Sequence, residues 1–364
     1  MRHTSRSNAA SSLEMNTPDQ IRSAEELGCL FDDRYLLHNP GIRHPESPQR
    51  LVAIRQMLQE SGVIDRWQMV QPRIATSEEL ELIHDPVHVR RIEQASGRAP
   101  AYLDFDTSVS SESYWTALLA AGGTLECVDS LFSGKLRRAF AFVRPPGHHA
   151  NGESARGFCL FNNVALAAAY ARIKYRLERI AIVDFDVHHG DGTQACFYEI
   201  PEVLYISTHQ FPFYPGTGDF DEVGKGEGKG YSLNFPLPEG TGNSSFVPIY
   251  SKIISSVLDQ FEPQLILVSA GFDAHFKDPL GGLALTHAGY GSAAASLMLA
   301  AERWCNGRIC FVLEGGYSLE GLKDSSRAVL IEMEKKRPDE ISVREGALFK
   351  EISQKAAKFS RWKW

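Results

Sequence analysis

The segment from Asp184 to Asp191 carries the residue types of a metal site. It places three carboxylates and two imidazoles in the run Asp184-Phe185-Asp186-Val187-His188-His189-Gly190-Asp191. Asp186 and His188 are two residues apart, so on extended backbone they project to the same side and can bind one divalent ion. His189 faces the other side and is interpreted as structural. Because two ligands are too few, this spacing predicts a third ligand from elsewhere in the chain.

A buried β-strand must present this segment, and other strands end in similar residues. Residues 180–183 form a short apolar run, which is typical of a strand buried on both faces, and the glycines that follow indicate a turn. Four further apolar runs lead into His148 and His149, Ser207, Asp273 and Tyr317. Because parallel strands end at one edge of a sheet, where ligands bind, we expect these side chains to lie close together.

The intervals between these runs predict helices. Residues 246–257 have the apolar spacing of a helix with one buried face. Residues 162–175 are rich in alanine and begin with two asparagines that can cap a helix, and a further helix is predicted over about residues 287–304. Strands that alternate with helices of this length imply a mostly parallel sheet with helices on both faces. The sequence therefore predicts an α/β fold: one domain with three αβα layers and its site at the C-terminal ends of the strands.

The composition is that of a globular protein and excludes several classes. The chain has 364 residues, of which 43% are hydrophobic and 23% charged, and no apolar run is long enough to span a membrane. A net charge of −7 with scattered basic residues argues against direct binding of nucleic acid. The six cysteines form no C-x-x-C pair, which favours a reducing compartment, and we predict a cytoplasmic protein.

Three segments are distinguished along the chain. Residues 1–24 are rich in serine and asparagine and are interpreted as a disordered leader, with a transit peptide as the alternative. Residues 25–345 are predicted to form the catalytic domain. Residues 346–364 are charged and predicted to form a helical tail, which packs on the domain or on a partner. A homo-oligomer is compatible with the sequence.

The clustered residues predict metal-assisted hydrolysis. Asp186, His188 and Asp273 would give a metal three protein ligands and an open position, the pattern of a catalytic site. Zn²⁺ suits this mixed oxygen and nitrogen set, although Fe²⁺ and Co²⁺ also accept it. Hydrolysis also requires a proton shuttle and a group that stabilises an oxyanion.

Three side chains fit these two further roles. His148 and His149 are candidates for the shuttle, with Asp184 and Asp191 as the carboxylates that orient their rings. Tyr317 follows two glycines, which let the backbone approach closely and leave the phenol free to donate to an oxyanion.

These residues lie within motifs that resemble a known family. The motifs are residues 44–50 (HPESPQR), 144–150 (RPPGHHA), 157–163 (GFCLFNN), 184–193 (DFDVHHGDGT), 214–218 (YPGTG), 269–273 (SAGFD) and 313–317 (LEGGY). The chain resembles the zinc-dependent deacetylases of the histone deacetylase family, and it is more similar to the class II and bacterial amidohydrolase branch than to class I. The resemblance covers about residues 31–322 and implies the arginase/deacetylase fold.

The resemblance implies a role for each residue of the site. Asp186, His188 and Asp273 would bind Zn²⁺. His149 would act as general base and then general acid, with His148 as its electrostatic companion. In the family pattern, Asp184 pairs with His148, Asp191 pairs with His149, and Tyr317 binds the substrate carbonyl and the oxyanion.

The resemblance also implies a substrate tunnel and a second cation. The carbonyl of Gly157 would accept the substrate amide N–H, and Phe158 and Tyr214 would form the tunnel walls around an acyl-lysine stem. Family members usually have phenylalanine where this chain has Tyr214. Asp106 falls where the family has a rim aspartate that binds substrate amides, with a helix-capping role as the alternative. A K⁺ ion would be bound by backbone oxygens and two side chains, supplied by Asp184, Asp186, His188, Ser207 and Thr208.

Three functions are weighed on these residues. The first is a deacetylase that acts on acyl-lysine in peptides or proteins. The second is an acetylpolyamine amidohydrolase, whose substrate is a small acetylated amine. Polyamine-selective relatives can carry glutamate at the position of Leu280, and leucine there favours acyl-lysine. The third is a binding module without activity, which the presence of Tyr317 disfavours. An arginase-type site is disfavoured because it needs two metals and more carboxylates.

Overall fold

The computed structural model describes residues 26–338 and 345–364, and the predicted leader at residues 1–24 lies outside them. The strands are β1 (Leu27–Leu30), β2 (Gln68–Val70), β3 (Ala101–Tyr102), β4 (Ser108–Val109), β5 (Arg138–Ala141), β6 (Ile180–Asp184), β7 (Val203–Gln210), β8 (Ser232–Leu237), β9 (Leu265–Ala270) and β10 (Ile309–Leu313). Eight of them form one sheet in the order β2-β1-β5-β10-β9-β6-β7-β8, and β3 and β4 pair separately as an antiparallel ribbon.

Helices fill the connections between the strands. They are α1 (Gln49–Glu60), α2 (Val63–Arg66), α3 (Ser77–Leu80), α4 (Pro86–Gly97), α5 (Ser113–Phe132), α6 (Asn163–Tyr175), α7 (Asp191–Phe197), α8 (Asn243–Pro248), α9 (Ser255–Phe261), α10 (His287–Trp304), α11 (Leu319–Glu334) and α12 (Ala347–Phe359). Short 3₁₀ helices occur at Asp33–Leu37 and Gly226–Gly228, and a π-helical turn occurs at Ile249–Ile254.

The direction of the crossovers assigns the helices to two layers. The connections through α5, α6 and α7 run across the sheet toward β8, whereas those through α1, α8, α9 and α10 run toward β2. Because crossovers between parallel strands are right-handed, opposite directions place these two groups on opposite faces. The contacts agree, since α5 packs on α6 while α10 packs on α8 and α11. The predicted three-layer α/β architecture is therefore confirmed.

The sheet is wholly parallel, which goes further than the predicted mostly parallel sheet. Every pairing among its eight strands is parallel, and β6, β9 and β10 are buried along their whole length. The single helix predicted over residues 246–257 is instead divided into α8, the π-helical turn and α9. Pro248 explains this break, because proline has no N–H to donate within a helix.

The C-terminal segment packs along the outer strand of the sheet. Helix α12 contacts β8 and α8 and buries Phe349, Ile352 and Ala356. After the helix, Trp362 Nε1 donates to the carbonyl of Gly230 at 2.9 Å. This segment covers an edge strand that would otherwise expose unpaired backbone groups. The division into a domain at 25–345 and a tail at 346–364 stays a prediction. Within the described ranges, no helix is long and apolar enough to cross a bilayer.

Candidate active site

The C-terminal ends of the central strands bring the predicted residues together. Asp184, at the end of β6, lies level with Ser207 of β7 on one side and Ser269 of β9 on the other. β10 pairs with β9 up to Leu313, four residues before Tyr317. Because β5, β6, β7, β9 and β10 are neighbours or near neighbours in one parallel sheet, the loops after them meet over one edge.

Asp186, His188 and Asp273 form a compact cluster at this edge. Their ligand atoms all lie within 4.8 Å of one another. His188 Nδ1 is 3.1 Å from Asp186 Oδ1 and 3.3 Å from Asp273 Oδ2. Asp273 Oδ1 accepts the backbone N–H of Val187 at 2.8 Å, whereas the buried Oδ2 receives no aligned hydrogen bond from any described residue. One acceptor of Asp273 is thus held by the backbone and the other points into the cluster.

The electrostatics of this cluster fit a divalent cation. Burial and the nearby Asp186 raise the pKa of Asp273 to about 7. Burial alone would lower the pKa of His188, but Asp186 and Asp273 raise it to about 10. Both shifts indicate excess negative charge around one point. Two carboxylates and one imidazole that leave a position open form a ligand set suited to Zn²⁺.

Two glycines leave the space in which these carboxylates lie. A Cβ atom on Gly271 would lie 2.0 Å from Asp186 Oδ2, and one on Gly315 would lie 2.0 Å from Asp273 Oδ2. The N–H of Gly315 also donates to Asp186 Oδ2 at 2.8 Å. Glycine is therefore required at both positions for the ligand carboxylates to keep these places.

The two histidines of the loop after β5 each pair with a carboxylate. His148 Nδ1 is 3.0 Å from Asp184 Oδ2, and His149 Nδ1 is 2.8 Å from Asp191 Oδ1. Their ring centroids are 4.0 Å apart. Both predicted His–Asp pairings are therefore present in the structure.

The environments of the two rings push their pKa values in opposite directions. Burial opposes the charged form of His148, but Asp186 and Asp184 raise its pKa well above the ordinary value. Burial, assisted by His148, lowers the pKa of His149 to about 3. Two neighbouring groups with divergent pKa values can take different proton-transfer roles. Here His149 is the neutral imidazole, which can accept a proton.

The residues predicted to hold a second cation lie at the ends of β6 and β7. The Ser207 hydroxyl is 2.9 Å from His209 Nδ1. The Thr208 hydroxyl lies 3.4 Å from the carbonyl oxygen of Asp184 and 2.8 Å from the Tyr250 hydroxyl. The structure therefore places Ser207 and Thr208 beside the backbone of Asp184, on the strand adjacent to the divalent cluster.

The rings of Phe158 and Tyr214 contact Tyr317 and His149, respectively. The Phe158 ring is 5.8 Å from the Tyr317 ring and nearly perpendicular to it, and the Tyr214 ring is 5.1 Å from the His149 ring. Gly157 has a φ of +54°, and a Cβ atom there would lie 2.5 Å from His149 Cδ2. Glycine at 157 thus lets the backbone lie directly against the ring of His149.

The Tyr214 hydroxyl is buried and faces a basic side chain. Burial raises the pKa of Tyr214 to about 12, while the adjacent Arg156 opposes this shift. Arg156 in turn pairs with Asp191, with Nη1 2.9 Å from Oδ2. Sequence analysis did not identify Arg156, although it immediately precedes Gly157. One carboxylate oxygen of Asp191 is therefore hydrogen-bonded to His149, and the other forms an ion pair with Arg156.

Tyr317 lies between the ring of Phe158 and the buried side chain of Arg50. Gly316, with a φ of +117°, turns the chain after β10, and the Arg50 guanidinium lies 5.1 Å from the Tyr317 ring centroid. Arg50 Nε donates to the Gly316 carbonyl at 2.7 Å. Burial, followed by the charge of Asp273, raises the pKa of Tyr317 well above its ordinary value. The phenol therefore keeps its proton and can act as a donor.

A buried ion cluster supports Arg50, and the sequence did not reveal this role. Glu46 is fully buried and pairs with Arg50, at 3.0 Å, and with Arg144. His38 Nε2 lies 3.4 Å from Glu46 Oε2. These residues belong to segments far apart in the chain, so the pairing follows only from the fold.

Glu314 is a further residue whose role sequence analysis missed. Its Oε2 accepts the N–H groups of Gly147 and His148 at 2.6 and 3.1 Å, and its Oε1 accepts the Ser269 hydroxyl. It also lies near Cys159 and His148 in a group with metal-ligand spacing. The Cys159 thiol donates to the carbonyl of Gly157, and both Glu314 oxygens are occupied. This group is therefore a hydrogen-bond network that supports the histidine loop.

Asp106 and Leu280 are not members of the cluster of ligand atoms, and their hydrogen bonds within the described ranges go to other residues. Asp106 lies in the turn between β3 and β4 and caps no helix in the described ranges, so the alternative capping role is wrong. Its carboxyl accepts the Thr107 hydroxyl, and Thr107 accepts the N–H of Phe158 at 3.1 Å. Leu280 is half-buried, and its N–H donates to Asp278 Oδ1 at 3.0 Å.

Comparisons with known proteins agree with this geometry. The histone deacetylase domain model matches residues 44–333. A probable deacetylase from Archaeoglobus fulgidus is 43% identical over 81% of this chain and 82% of its own length. Polyamine deacetylase HDAC10 from Danio rerio is 39% identical over 81% of this chain and 46% of its own length. The crystal structure of the HDA15 HD domain has a TM-score of 0.85 at 36% identity, covering 92% of this chain and 95% of that one. The resemblance noted from the motifs is confirmed, and the chain belongs to the histone deacetylase family of hydrolases.

Proposed function

We propose that this protein is a zinc-dependent deacetylase that hydrolyses the acetyl amide of N6-acetyl-lysine in peptides or proteins, releasing acetate and lysine. The observation that carries the proposal is the cluster of Asp186, His188 and Asp273 beside two His–Asp pairs. Such a combination supplies metal ligands and proton-transfer groups in one cleft, as hydrolysis of an amide requires.

Asp186, His188 and Asp273 would hold the zinc ion. Bound there, Zn²⁺ supplies the positive charge that polarises an acyl carbonyl and acidifies water. Two observations support this assignment. Asp273 Oδ2 is buried and accepts no hydrogen bond from the described residues, and the backbone of Gly271 and Gly315 lies close to the carboxylates of Asp186 and Asp273.

His149 is the proposed proton shuttle. Asp191 holds its Nδ1, so Nε2 is the atom that takes a proton from the attacking water. As the acyl C–N bond breaks, His149 returns this proton to the leaving amine, and the acyl carbon keeps the oxygen of water. His148, held by Asp184, lies 4.0 Å away, ring to ring, and supplies positive charge beside the developing oxyanion.

Tyr317 and the tunnel residues complete the proposed site. The Tyr317 phenol, protonated because burial raises its pKa, donates to the substrate carbonyl and to the oxyanion. Phe158 and Tyr214 enclose the lysine stem, and the Gly157 carbonyl accepts the amide N–H. Asp106 is proposed to contact the substrate backbone at the rim of the tunnel. Its neighbour Thr107 accepts the N–H of the proposed wall residue Phe158 through its hydroxyl group.

A potassium ion is the second proposed cofactor. Carbonyl oxygens of Asp184, Asp186, His188 and Thr208, with the side chains of Asp184 and Ser207, would surround it. All of these ligand atoms are oxygens, most of them from buried backbone carbonyl groups, and such a set suits a monovalent cation. The cation would also reduce the repulsion among the carboxylates at the end of β6.

The residue at position 280 supports the proposed substrate class. Leu280 offers no carboxylate to the second ammonium group of an acetylpolyamine, whereas an apolar side chain suits a lysine stem within a peptide. The homologous polyamine deacetylase makes the small acetylated amine the alternative substrate. We expect kcat/KM for an acetyl-lysine peptide to exceed that for N-acetylputrescine by about tenfold or more, a difference that one charged contact can supply.

Measured kcat/KM values for the two substrates test this proposal directly. Leu280→Glu is the matched variant, and it should raise the ratio of N-acetylputrescine to peptide turnover. A wild-type preference for N-acetylputrescine would establish the polyamine reaction instead. If the zinc-loaded enzyme turns over neither substrate, a binding module would be favoured. The cytoplasmic location and any homo-oligomer stay predictions.

A further inference from the structure

We propose that Asp278 is a positioning residue, which fixes the backbone of both Tyr317 and Leu280 with one carboxylate. This inference rests on the proposed role of Tyr317 as the oxyanion donor. Asp278 lies in the loop that follows Asp273, and it is 8% exposed. Neither the metal cluster nor the His–Asp pairs include it.

The two oxygens of Asp278 bind different parts of the site. Oδ2 accepts the backbone N–H groups of Tyr317 and Ser318 at 2.6 and 2.9 Å. Oδ1 accepts the N–H of Leu280 at 3.0 Å. Both oxygens of the Asp278 carboxyl group therefore accept backbone N–H groups, and three hydrogen bonds to one side chain make a firm anchor. The segment after β10 is thereby tied to the loop after β9.

Tyr317 needs such an anchor because the chain before it is flexible by composition. Gly315 and Gly316 precede it, and glycine permits many more backbone conformations than other residues. Arg50 holds the Gly316 carbonyl at 2.7 Å from one side, and Asp278 holds the Tyr317 N–H from the other. The peptide unit between residues 316 and 317 is thus restrained at both its oxygen and its nitrogen, which sets the direction of the phenol.

Simple capping of α11 does not account for these contacts. Ser318 already caps that helix, because its hydroxyl accepts the N–H of Gly321 at 3.2 Å. Tyr317 lies before the cap and outside the helix, yet it donates the shortest of the three bonds to Asp278. The carboxylate therefore acts on the residue that carries the phenol as well as on the helix end.

The variants Asp278→Asn and Asp278→Ala test the inference with a graded loss of these bonds. Asparagine keeps one acceptor oxygen and replaces the other with a donor, and alanine removes all three bonds. A displacement of about 1 Å at a reacting group can lower a rate about 10²-fold, so we expect Asp278→Ala to lower kcat by about that factor and Asp278→Asn by less. KM should change by a smaller factor than kcat, because the proposed tunnel walls, Phe158 and Tyr214, make none of these three bonds and Leu280 is held only through its backbone N–H.

A double-mutant cycle with Tyr317→Phe separates positioning from general destabilisation. If Asp278 acts through the phenol, Asp278→Ala should lower kcat by less than about threefold in the Tyr317→Phe background, because contacting residues are not additive. Asp32→Asn is the matched control, since Asp32 also accepts a backbone N–H, from Arg34 at 2.9 Å, and caps a short helix. Melting temperature and zinc content are measured for every variant.

The outcomes distinguish this inference from the proposed function. An unchanged kcat in both Asp278 variants, or a loss of the same size in the Tyr317→Phe background, overturns the positioning role. If Tyr317→Phe by itself leaves kcat unchanged, the oxyanion role of Tyr317 is wrong, and the inference fails with it. Should Asp278→Ala not fold, Asp278→Asn, which is isosteric with aspartate, decides between these results.

Discussion

Replacement of Gly315 by alanine should disable the metal site through one methyl group. The added Cβ atom would lie 2.0 Å from Asp273 Oδ2 and 2.6 Å from Asp186 Oδ2. Gly315 is not among the residues with positive φ, so alanine introduces no backbone strain there. The N–H that donates to Asp186 is also retained. The perturbation is therefore purely a steric one on two ligand carboxylates.

The size of the effect follows from these distances. Ordinary contact begins at 3.4 Å, so the Asp273 oxygen or the backbone must move by about 1.4 Å, the difference between that distance and 2.0 Å. Ligand distances in a metal site tolerate only about 0.2 Å. Since disturbance of residues that merely support ligands costs about 10–100-fold in affinity, we expect zinc affinity to fall by about 10²-fold or more.

Competition with a chromophoric chelator measures this affinity without reference to activity. The rise in melting temperature when zinc is added gives a second readout, because ligand binding stabilises the folded state. Gly97→Ala is the matched control, as a Cβ atom on this glycine at the end of α4 meets nothing within 4 Å. Retention of one zinc per chain with unaltered affinity in Gly315→Ala would refute the assignment of Asp186 and Asp273 as ligands.

Three further predictions concern the histidine pair and the buried ion cluster. His149→Ala should lower kcat by about 10²–10⁴-fold while leaving zinc bound, because His149 is not a ligand, and loss of zinc measured by atomic spectroscopy would contradict this. Glu46→Gln should lower the free energy of unfolding, measured in urea at neutral pH, by about 3–5 kcal/mol, since Arg144 and Arg50 lose their buried counter-charge. Burial raises the pKa of Glu46, but Arg144 and His38 outweigh it and hold the pKa well below the ordinary 4.5, so this stability is full above that pH and is lost as pH falls through the depressed value. The difference between wild type and Glu46→Gln should therefore be constant from neutral pH down to about 5 and shrink in more acidic solution. An unchanged difference there would show that folding does not lower the pKa of Glu46.

Local patterns were sufficient where the chemistry and the element lie in one segment. The run from Ile180 to Val183 predicted β6, which extends one residue further, because four apolar residues with no polar alternation suit a strand buried on both faces. The two-residue spacing of Asp186 and His188 likewise predicted a shared ligand site. By contrast, β2 has only three residues, and β8 includes Pro236, so neither had a clear strand pattern.

The sequence by itself determined the parallel α/β architecture, the edge of the sheet that carries the site, and the family, through motifs that were local in the chain. Only the tertiary structure decided which distant side chains hold these residues in place. Arg50 reaches Gly316 across 266 positions of sequence, and Glu314 reaches His148 across 166. Asp278 accepts the backbone N–H of Tyr317, a contact that does not depend on residue type and so cannot be recognised in the sequence. Such contacts depend on how loops pack over the sheet, and hydrophobic periodicity contains no information about that packing.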